Sequence, residues 1–258
     1  MSGPFDLSGK VAVITGSSRG IGRAIALRMA EAGARVVVSS RKQAACDVVV
    51  AEIEQAHGAG RALAVAASLS SRDDLKALVA RTEAAFGRID ILVCNAASNP
   101  YAGPMSGISD EQFRKVLDNN VLANHWLIQF ALPALERDGG GAVVIVSSIG
   151  GLQGSAVLGA YNISKAADMQ LARNLAVELG PRGIRVNCIA PGLVRTDFAR
   201  ALWENPATLA HYTEGTPLGR IAEPDEIAGC AVFLASPAGS FVTGHTLVAD
   251  GGVTIAGA

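Results

Sequence analysis

Short β-branched runs alternate with longer stretches of helical periodicity along most of the chain. The runs fall at 11–15, 35–40, 61–66, 89–94, 142–147, 184–190 and 245–249, and predict seven strands. Several are apolar with no period-two alternation, as expected where helices cover both faces of a parallel sheet. Helical periodicity occupies 20–31, 42–56, 72–86, 110–137, 156–179 and 225–235. This order predicts an α/β fold, a Rossmann-like doubly wound sheet of seven mostly parallel strands flanked by helices, in a single domain spanning 1–258. Ser109, three residues before Gln112, predicts a capped helix start, and Pro133 predicts a kink or an early end to the fourth helix. The segment 196–218, rich in turn residues and weak in periodicity, is the candidate lid.

Composition narrows the function classes. The chain has 258 residues, half of them hydrophobic, enough to bury a substantial core. Twenty-two basic residues against twenty-three acidic ones give no field for a nucleic-acid partner. Cys46, Cys94, Cys188 and Cys230 form no close pair, so they read as free thiols rather than a zinc site or disulfide frame. His57, His125, His211 and His245 lack ligand spacing, and no metal is expected. No run reaches membrane length and no leader pattern opens the chain. Its last residues, 254–258, are not a peroxisomal address. A cytoplasmic protein is the expectation.

The first predicted strand runs into Thr15-Gly16-Ser17-Ser18-Arg19-Gly20-Ile21-Gly22, and helical periodicity begins at once. Glycines in that place let a pyrophosphate approach a helix N-terminus. The second strand ends in Ser39-Ser40-Arg41-Lys42, with no acid to hold ribose hydroxyls. Arg41, Lys42 and Arg19 could instead grip a 2′-phosphate, so NADP(H) is favoured over NAD(H); the alternative is that they begin a solvated helix and face water. At the reacting end, a carbonyl that gains hydride must also gain a proton. Tyr161 and Lys165 are four apart and share a helix face, where an ammonium favours the phenolate. Ser148, or its neighbour Ser147, could donate to the substrate oxygen, but adjacent strand residues face opposite ways and only one can serve. Tyr101, Phe198, Trp203 and Tyr212 are candidates for an apolar substrate pocket, or for ordinary packing.

The Gly-x-x-x-Gly-x-Gly spacing after Thr15 resembles the short-chain dehydrogenase/reductase family, and the resemblance extends along the whole chain. Asn95-Ala96-Ala97 resembles its Asn-Ala-Gly motif, Asn120 its active-site asparagine, and Ser148, Tyr161 and Lys165 its serine, tyrosine and lysine. Pro191-Gly192, followed by Val194 and Thr196, resembles the loop that holds the nicotinamide, and Asp250-Gly251-Gly252 the C-terminal signature. Segments 39–43, 95–100 and 146–149 are further similar to the NADP-dependent carbonyl/retinal reductases of the dehydrogenase/reductase branch. The resemblance implies an oxidoreductase acting on a ketone, aldehyde or secondary alcohol. Asn120, Ser148, Tyr161 and Lys165 are then catalytic, Tyr161 as general acid/base, Lys165 also on the nicotinamide ribose, and Asn120 holding a water on the proton path. It selects Ser148 over Ser147. The implied cofactor contacts are Gly16, Ser18, Arg19, Gly20, Ile21, Gly22, Ser40, Arg41, Lys42, Ser68, Leu69, Asn95, Ala96, Tyr161, Lys165, Pro191, Gly192, Val194 and Thr196. The cofactor half covers about 8–150 and the catalytic half about 151–258. A homotetramer is implied, with a small, apolar carbonyl or alcohol as the only other partner. The sequence departs from the family pattern at Ser68, where many members carry an aspartate, and at Ala97, where a glycine is usual; Ala97 predicts a backbone outside the left-handed region. A 3-oxoacyl-thioester reductase, or a catalytically idle nucleotide-binding scaffold, are the alternatives.

Overall fold

The computed structural model describes residues 3–137 and 139–256, so the end of the C-terminal segment lies outside the described residues. Seven strands form one sheet: β1 (Val11–Thr15), β2 (Arg35–Ser40), β3 (Ala62–Ala66), β4 (Ile91–Cys94), β5 (Ala142–Val146), β6 (Arg185–Pro191) and β7 (Thr246–Ala249). Their order is β3-β2-β1-β4-β5-β6-β7, with every neighbouring pair parallel. The helices are α1 (Gly20–Glu31), α2 (Gln43–His57), α3 (Arg72–Phe86), α4 (Asp110–Leu117), α5 (Ala123–Arg137), α6 (Gly159–Leu179), α7 (Arg200–Trp203), α8 (Pro206–Glu214) and α9 (Pro224–Ala235). The expected α/β, Rossmann-like architecture is therefore present, with most strand ends within one or two residues of their sequence positions.

The missing alternation in the strands has a direct cause. Val13, Leu92, Val143, Ile145 and Val186 point into one core with Leu75 and Leu78 of α3, Leu127 and Ala131 of α5, and Ala172 of α6. Their neighbours Ala12, Ile14, Ile91, Val93, Val144 and Ile189 point the other way, onto Ile25 and Met29 of α1, Val49 and Ile53 of α2, and Ala228 and Ala231 of α9. Each fully buried aliphatic side chain contributes about 1.5–3 kcal/mol, so both faces of every central strand favour apolar residues. Where the strand order reverses, between β1 and β4, the strand C-termini open a crevice.

Three local features add to the expectation. The predicted helix 110–137 starts with the capping box of Ser109 and Gln112, but a π turn at Asp118–Leu122 divides it into α4 and α5. Such a turn re-aims side chains, and here it buries Asn119 and Asn120. Pro133 does not end α5, which continues to Arg137. Pro133 and Gln129, whose carbonyl the proline ring leaves unbonded, both lie on the exposed face, where water can take that carbonyl. The candidate lid 196–218 holds a 3-10 turn (Asp197–Ala199) and the short helices α7 and α8. Asn205 caps α8 by accepting from Ala207 N and Thr208 N, with Pro206 at its first turn. Neither helix is long enough to set up a clear period in the sequence.

Candidate active site

The loop after β1 is locked to the end of β4. Thr15 Oγ1 donates to Val93 O at 3.3 Å and accepts from Asn95 N at 3.1 Å and Ala96 N at 3.2 Å. Asn95 Nδ2 donates to Thr15 O at 2.9 Å and Gly16 O at 3.2 Å. Gly16 and Gly20 have φ of 66° and 56°, in the left-handed region. A Cβ on Gly22 would lie 2.4 Å from both Asn95 Nδ2 and Gly16 O. Glycine is thus required for conformation at two positions and for close packing at the third. Arg19, the residue before α1, makes no side-chain capping bond, so no side chain of its own covers the first N–H groups of the helix. Ser18, Gly20 and Ile21 remain partly accessible around it. These residues fit a pyrophosphate.

The other expected cofactor residues border the same crevice or the strand ends beside it. Ser40 is half-buried against Cys46, with Oγ and Sγ 3.2 Å apart. Arg41 and Lys42 are exposed and pair with no carboxylate among the described residues. Arg19 makes an exposed ion pair with Asp197 at 3.5 Å. Ser68 N donates to Asp74 Oδ2 at 3.0 Å, so a carboxylate from α3 stands beside the serine, and Leu69 packs on the core. Ala97 has a negative φ, as its side chain predicts. Pro191 ends β6. A Cβ on Gly192 would come within 2.9 Å of Asp250 Cα, and Asp250 itself closes a turn by accepting from Gly252 N and Thr254 N. Val194 is buried, and the Thr196 methyl lies 3.3 Å from where a Cβ on Gly20 would stand.

Tyr161 and Lys165 lie one turn apart on α6, with Lys165 Nζ 5.6 Å from the centre of the Tyr161 ring. Lys165 is 2% exposed, and its Nζ donates to Val146 O at 2.9 Å and to Asp168 Oδ2 at 3.0 Å. Burial acts to lower its pKa, but the charges of Asp168 and Tyr161 and the bond to Asp168 outweigh it and hold the ammonium above its ordinary value. Burial also pushes the Asp168 carboxyl up, against the pull of Lys165 and Asn124. The two candidate serines separate cleanly. Ser147 is buried and its Oγ donates to Lys165 O at 2.7 Å. Ser148 lies beyond the end of β5, half-buried, with Oγ accepting from Gly150 N at 3.0 Å. Ser148 is the one open to a ligand.

Asn120 is fully buried in the π turn, with both ends of its amide engaged. Its Oδ1 accepts from Ser98 N at 2.8 Å, and Nδ2 donates to Ser98 O and Ser164 Oγ, each at 3.0 Å. Its backbone carbonyl accepts from Asn124 Nδ2 at 2.6 Å. Of the four apolar pocket candidates, Phe198 comes beside Tyr161, ring centres 6.0 Å apart, and is 58% exposed. Trp203 holds the lid instead: its Nε1 donates to Thr196 O at 2.8 Å and Arg195 lies over its ring. Tyr101 donates to Pro104 O within its own loop, and Tyr212 packs edge-on to His211. The sequence reading passed over Ser98, Ser164, Asn124 and Asp168. A signal existed for Asp168, a charged residue three after Lys165 on a helix face otherwise lined by Met169, Ala172 and Ala176.

A family model described as enoyl-(acyl carrier protein) reductase matches residues 16–254. The chain is 44% identical over 246 residues to dehydrogenase/reductase SDR family member 4 of Oryctolagus cuniculus, covering 95% of this chain and 94% of that protein. It belongs to the short-chain dehydrogenase/reductase family. Among solved structures, a 7α-hydroxysteroid dehydrogenase complexed with NADH and 7-oxo glycochenodeoxycholic acid matches with a TM-score of 0.92 and 37% identity, covering 96% of each chain. A structure from Beutenbergia cavernae with NADP bound at low occupancy matches with a TM-score of 0.92 and 38% identity, over 98% of this chain and 100% of that one. This short-chain dehydrogenase/reductase is accordingly an oxidoreductase acting between CH–OH and C=O with a nicotinamide nucleotide.

The two serines of this dehydrogenase/reductase predict different defects. Ser147→Ala loses a buried bond to the α6 backbone and is expected to lower stability by about 1 kcal/mol, read by chemical denaturation, with KM little changed. Ser148→Ala is expected to keep stability and lower kcat by about 10²–10³-fold through loss of a donor to the reacting oxygen. The reverse pattern would reassign the substrate donor.

Proposed function

We propose that the chain is an NADP(H)-dependent carbonyl reductase of apolar ketones and aldehydes, running in either direction, with Asn120, Ser148, Tyr161 and Lys165 as its catalytic set. The observation that carries this reading is the buried Lys165 beside the Tyr161 ring at the mouth of a cradle that fits a dinucleotide. When bound there, the nicotinamide donates or accepts the hydride. Tyr161 gives its phenolic proton to the carbonyl oxygen in reduction and takes it back in oxidation. Lys165 supplies a fixed positive charge that favours the phenolate, and by resemblance meets the ribose. Ser148 Oγ, free of the core, donates to the same oxygen. Asn120, held in the π turn by Ser98 and Ser164, by resemblance holds a water that continues the proton path. Phe198 supports an apolar substrate, because its exposed ring stands beside Tyr161.

The NADP(H) preference is supported by Arg41 and Lys42, exposed and without carboxylate partners among the described residues at the end of β2. The second reading is 3-oxoacyl-thioester reduction; the matched family's description, an enoyl-(acyl carrier protein) reductase, shares with it only the acyl carrier. A homotetramer is part of the reading through the family resemblance alone, and light scattering at the mass of four chains is its check. A cytoplasmic location is part of the reading, supported by the free state of Cys46, Cys94, Cys188 and Cys230.

The deciding experiment is NADPH oxidation over diketones, retinal, aromatic aldehydes, a 7-oxo steroid and acetoacetyl thioesters. Tyr161→Phe is expected to lower kcat by about 10³–10⁴-fold while NADPH still binds, since the ring stays and only the proton relay is lost. Retention of most turnover with NADPH bound overturns the assignment. Arg41→Ala is expected to raise KM for NADPH about tenfold, the equivalent of one charge-assisted bond, and to leave KM for NADH nearly unchanged. Equal use of both cofactors by the unmodified protein overturns the preference.

A further inference from the structure

Asp168 has no part in the reading above, yet it touches the centre of the site. It lies on α6, three residues after Lys165, and is 0% exposed. A carboxylate in such a place is strongly disfavoured unless its oxygens are matched. Both are matched here: Oδ2 accepts from Lys165 Nζ at 3.0 Å and Oδ1 from Asn124 Nδ2 at 3.1 Å. The same Asn124 amide also donates to Asn120 O at 2.6 Å. One buried polar chain therefore runs from Lys165 through Asp168 and Asn124 to Asn120, linking α6 to the π turn. An ammonium has three N–H groups. Val146 O and Asp168 fix two of them, which leaves one for the cofactor side.

We propose that Asp168 is the positioning residue of Lys165: its carboxylate keeps the buried ammonium charged and aimed, and through Asn124 ties it to the turn that carries Asn120. The inference rests on Tyr161 and Lys165 being the reacting pair. The titratable groups facing this carboxylate are Lys165 from its own helix, Cys94 from β4 and Cys188 from β6; Tyr161 acts on Lys165, and Arg173 of α6 on Cys188, in turn. Burial pushes both thiols up, so they stay neutral, and Cys188 Sγ only donates to the Asp168 carbonyl at 3.4 Å. A fully buried lysine without a carboxylate sheds its proton readily. With Asp168 present, Lys165 keeps its charge where the phenolate needs it.

Asp168→Asn removes the charge and keeps the shape. With a negative charge gone, the first proton leaves the Lys165–Tyr161 pair more easily whichever group gives it up. The acid limb of the kcat–pH profile for alcohol oxidation is therefore expected to move down by about one pH unit or more. Plateau kcat is expected to fall about 10–100-fold, since the ammonium loses its aim. An unmoved limb in a folded variant, with only a lower melting temperature, overturns the proposal and makes Asp168 a packing residue. The unmodified protein gives a reading that does not use activity. After ¹³Cε-lysine labelling, the Lys165 resonance, identified by its loss in Lys165→Arg, is expected to remain that of an ammonium wherever an exposed lysine is one. Loss of that proton below about pH 8 overturns the proposal even if Asp168→Asn does not fold. An active Tyr161→Phe enzyme would instead sink the reading of the reacting pair and leave this resonance where it is.

Discussion

The site depends on keeping one cation dry. Removing an ammonium from water costs several kcal/mol even after the protein relaxes, and the cost is offset only if each donor finds a partner and a counter-charge lies near. Lys165 meets both conditions through Val146 O and Asp168. Those contacts constrain everything around them. Val146 must end β5 opposite α6, and Ser147 must then turn inward to the Lys165 carbonyl. That places Ser148 on the ligand side. The position of the proposed substrate donor is thus a consequence of how the lysine is buried.

The same logic of satisfied polar groups builds the cofactor side. Asn95 has one amide group to spend on two carbonyls, Thr15 O and Gly16 O, and so pins the glycine loop against β4. A side chain at Gly22 would collide with that amide. The loop is therefore held open at the helix N-terminus by contacts made behind it. Asp90 does comparable work at the opposite end of β4, accepting from Val11 N at 2.9 Å and from Lys10 at 3.1 Å.

Much of this was legible in the sequence because it follows from local chemistry. The apolar runs gave the strands, since both faces of the sheet are buried, and the glycines gave the loop, since left-handed φ and close packing admit little else. Tyr161 and Lys165 could be paired from helical spacing alone. What was not legible needed tertiary contact. The π turn at Asp118–Leu122 leaves hydrophobic periodicity almost undisturbed, so 110–137 read as one helix. Pro133 looked disruptive because sequence does not show that it faces outward. For Trp203 and Tyr101 the choice between pocket and packing stayed open, because an aromatic ring reads alike whether its polar tip meets a ligand or a backbone carbonyl. Asp168 stood in plain view, but a lone acid on an apolar helix face acquires meaning only when Asn124, from another helix, is seen to meet it.

The start of the lid shows how the two halves of the site are joined. Three consecutive residues face three different parts: the Thr196 methyl lies against Gly20 at the head of α1, Asp197 pairs with Arg19, and Phe198 stands beside Tyr161. An exposed ion pair is weak in water, so Asp197 and Arg19 make a contact that can be exchanged, whereas the Thr196 approach is fixed by packing and by the bond from Trp203 to its carbonyl. The segment is therefore anchored at one residue and adjustable at the next two. One short segment thus borders both the glycine loop and the Tyr161 side of the crevice.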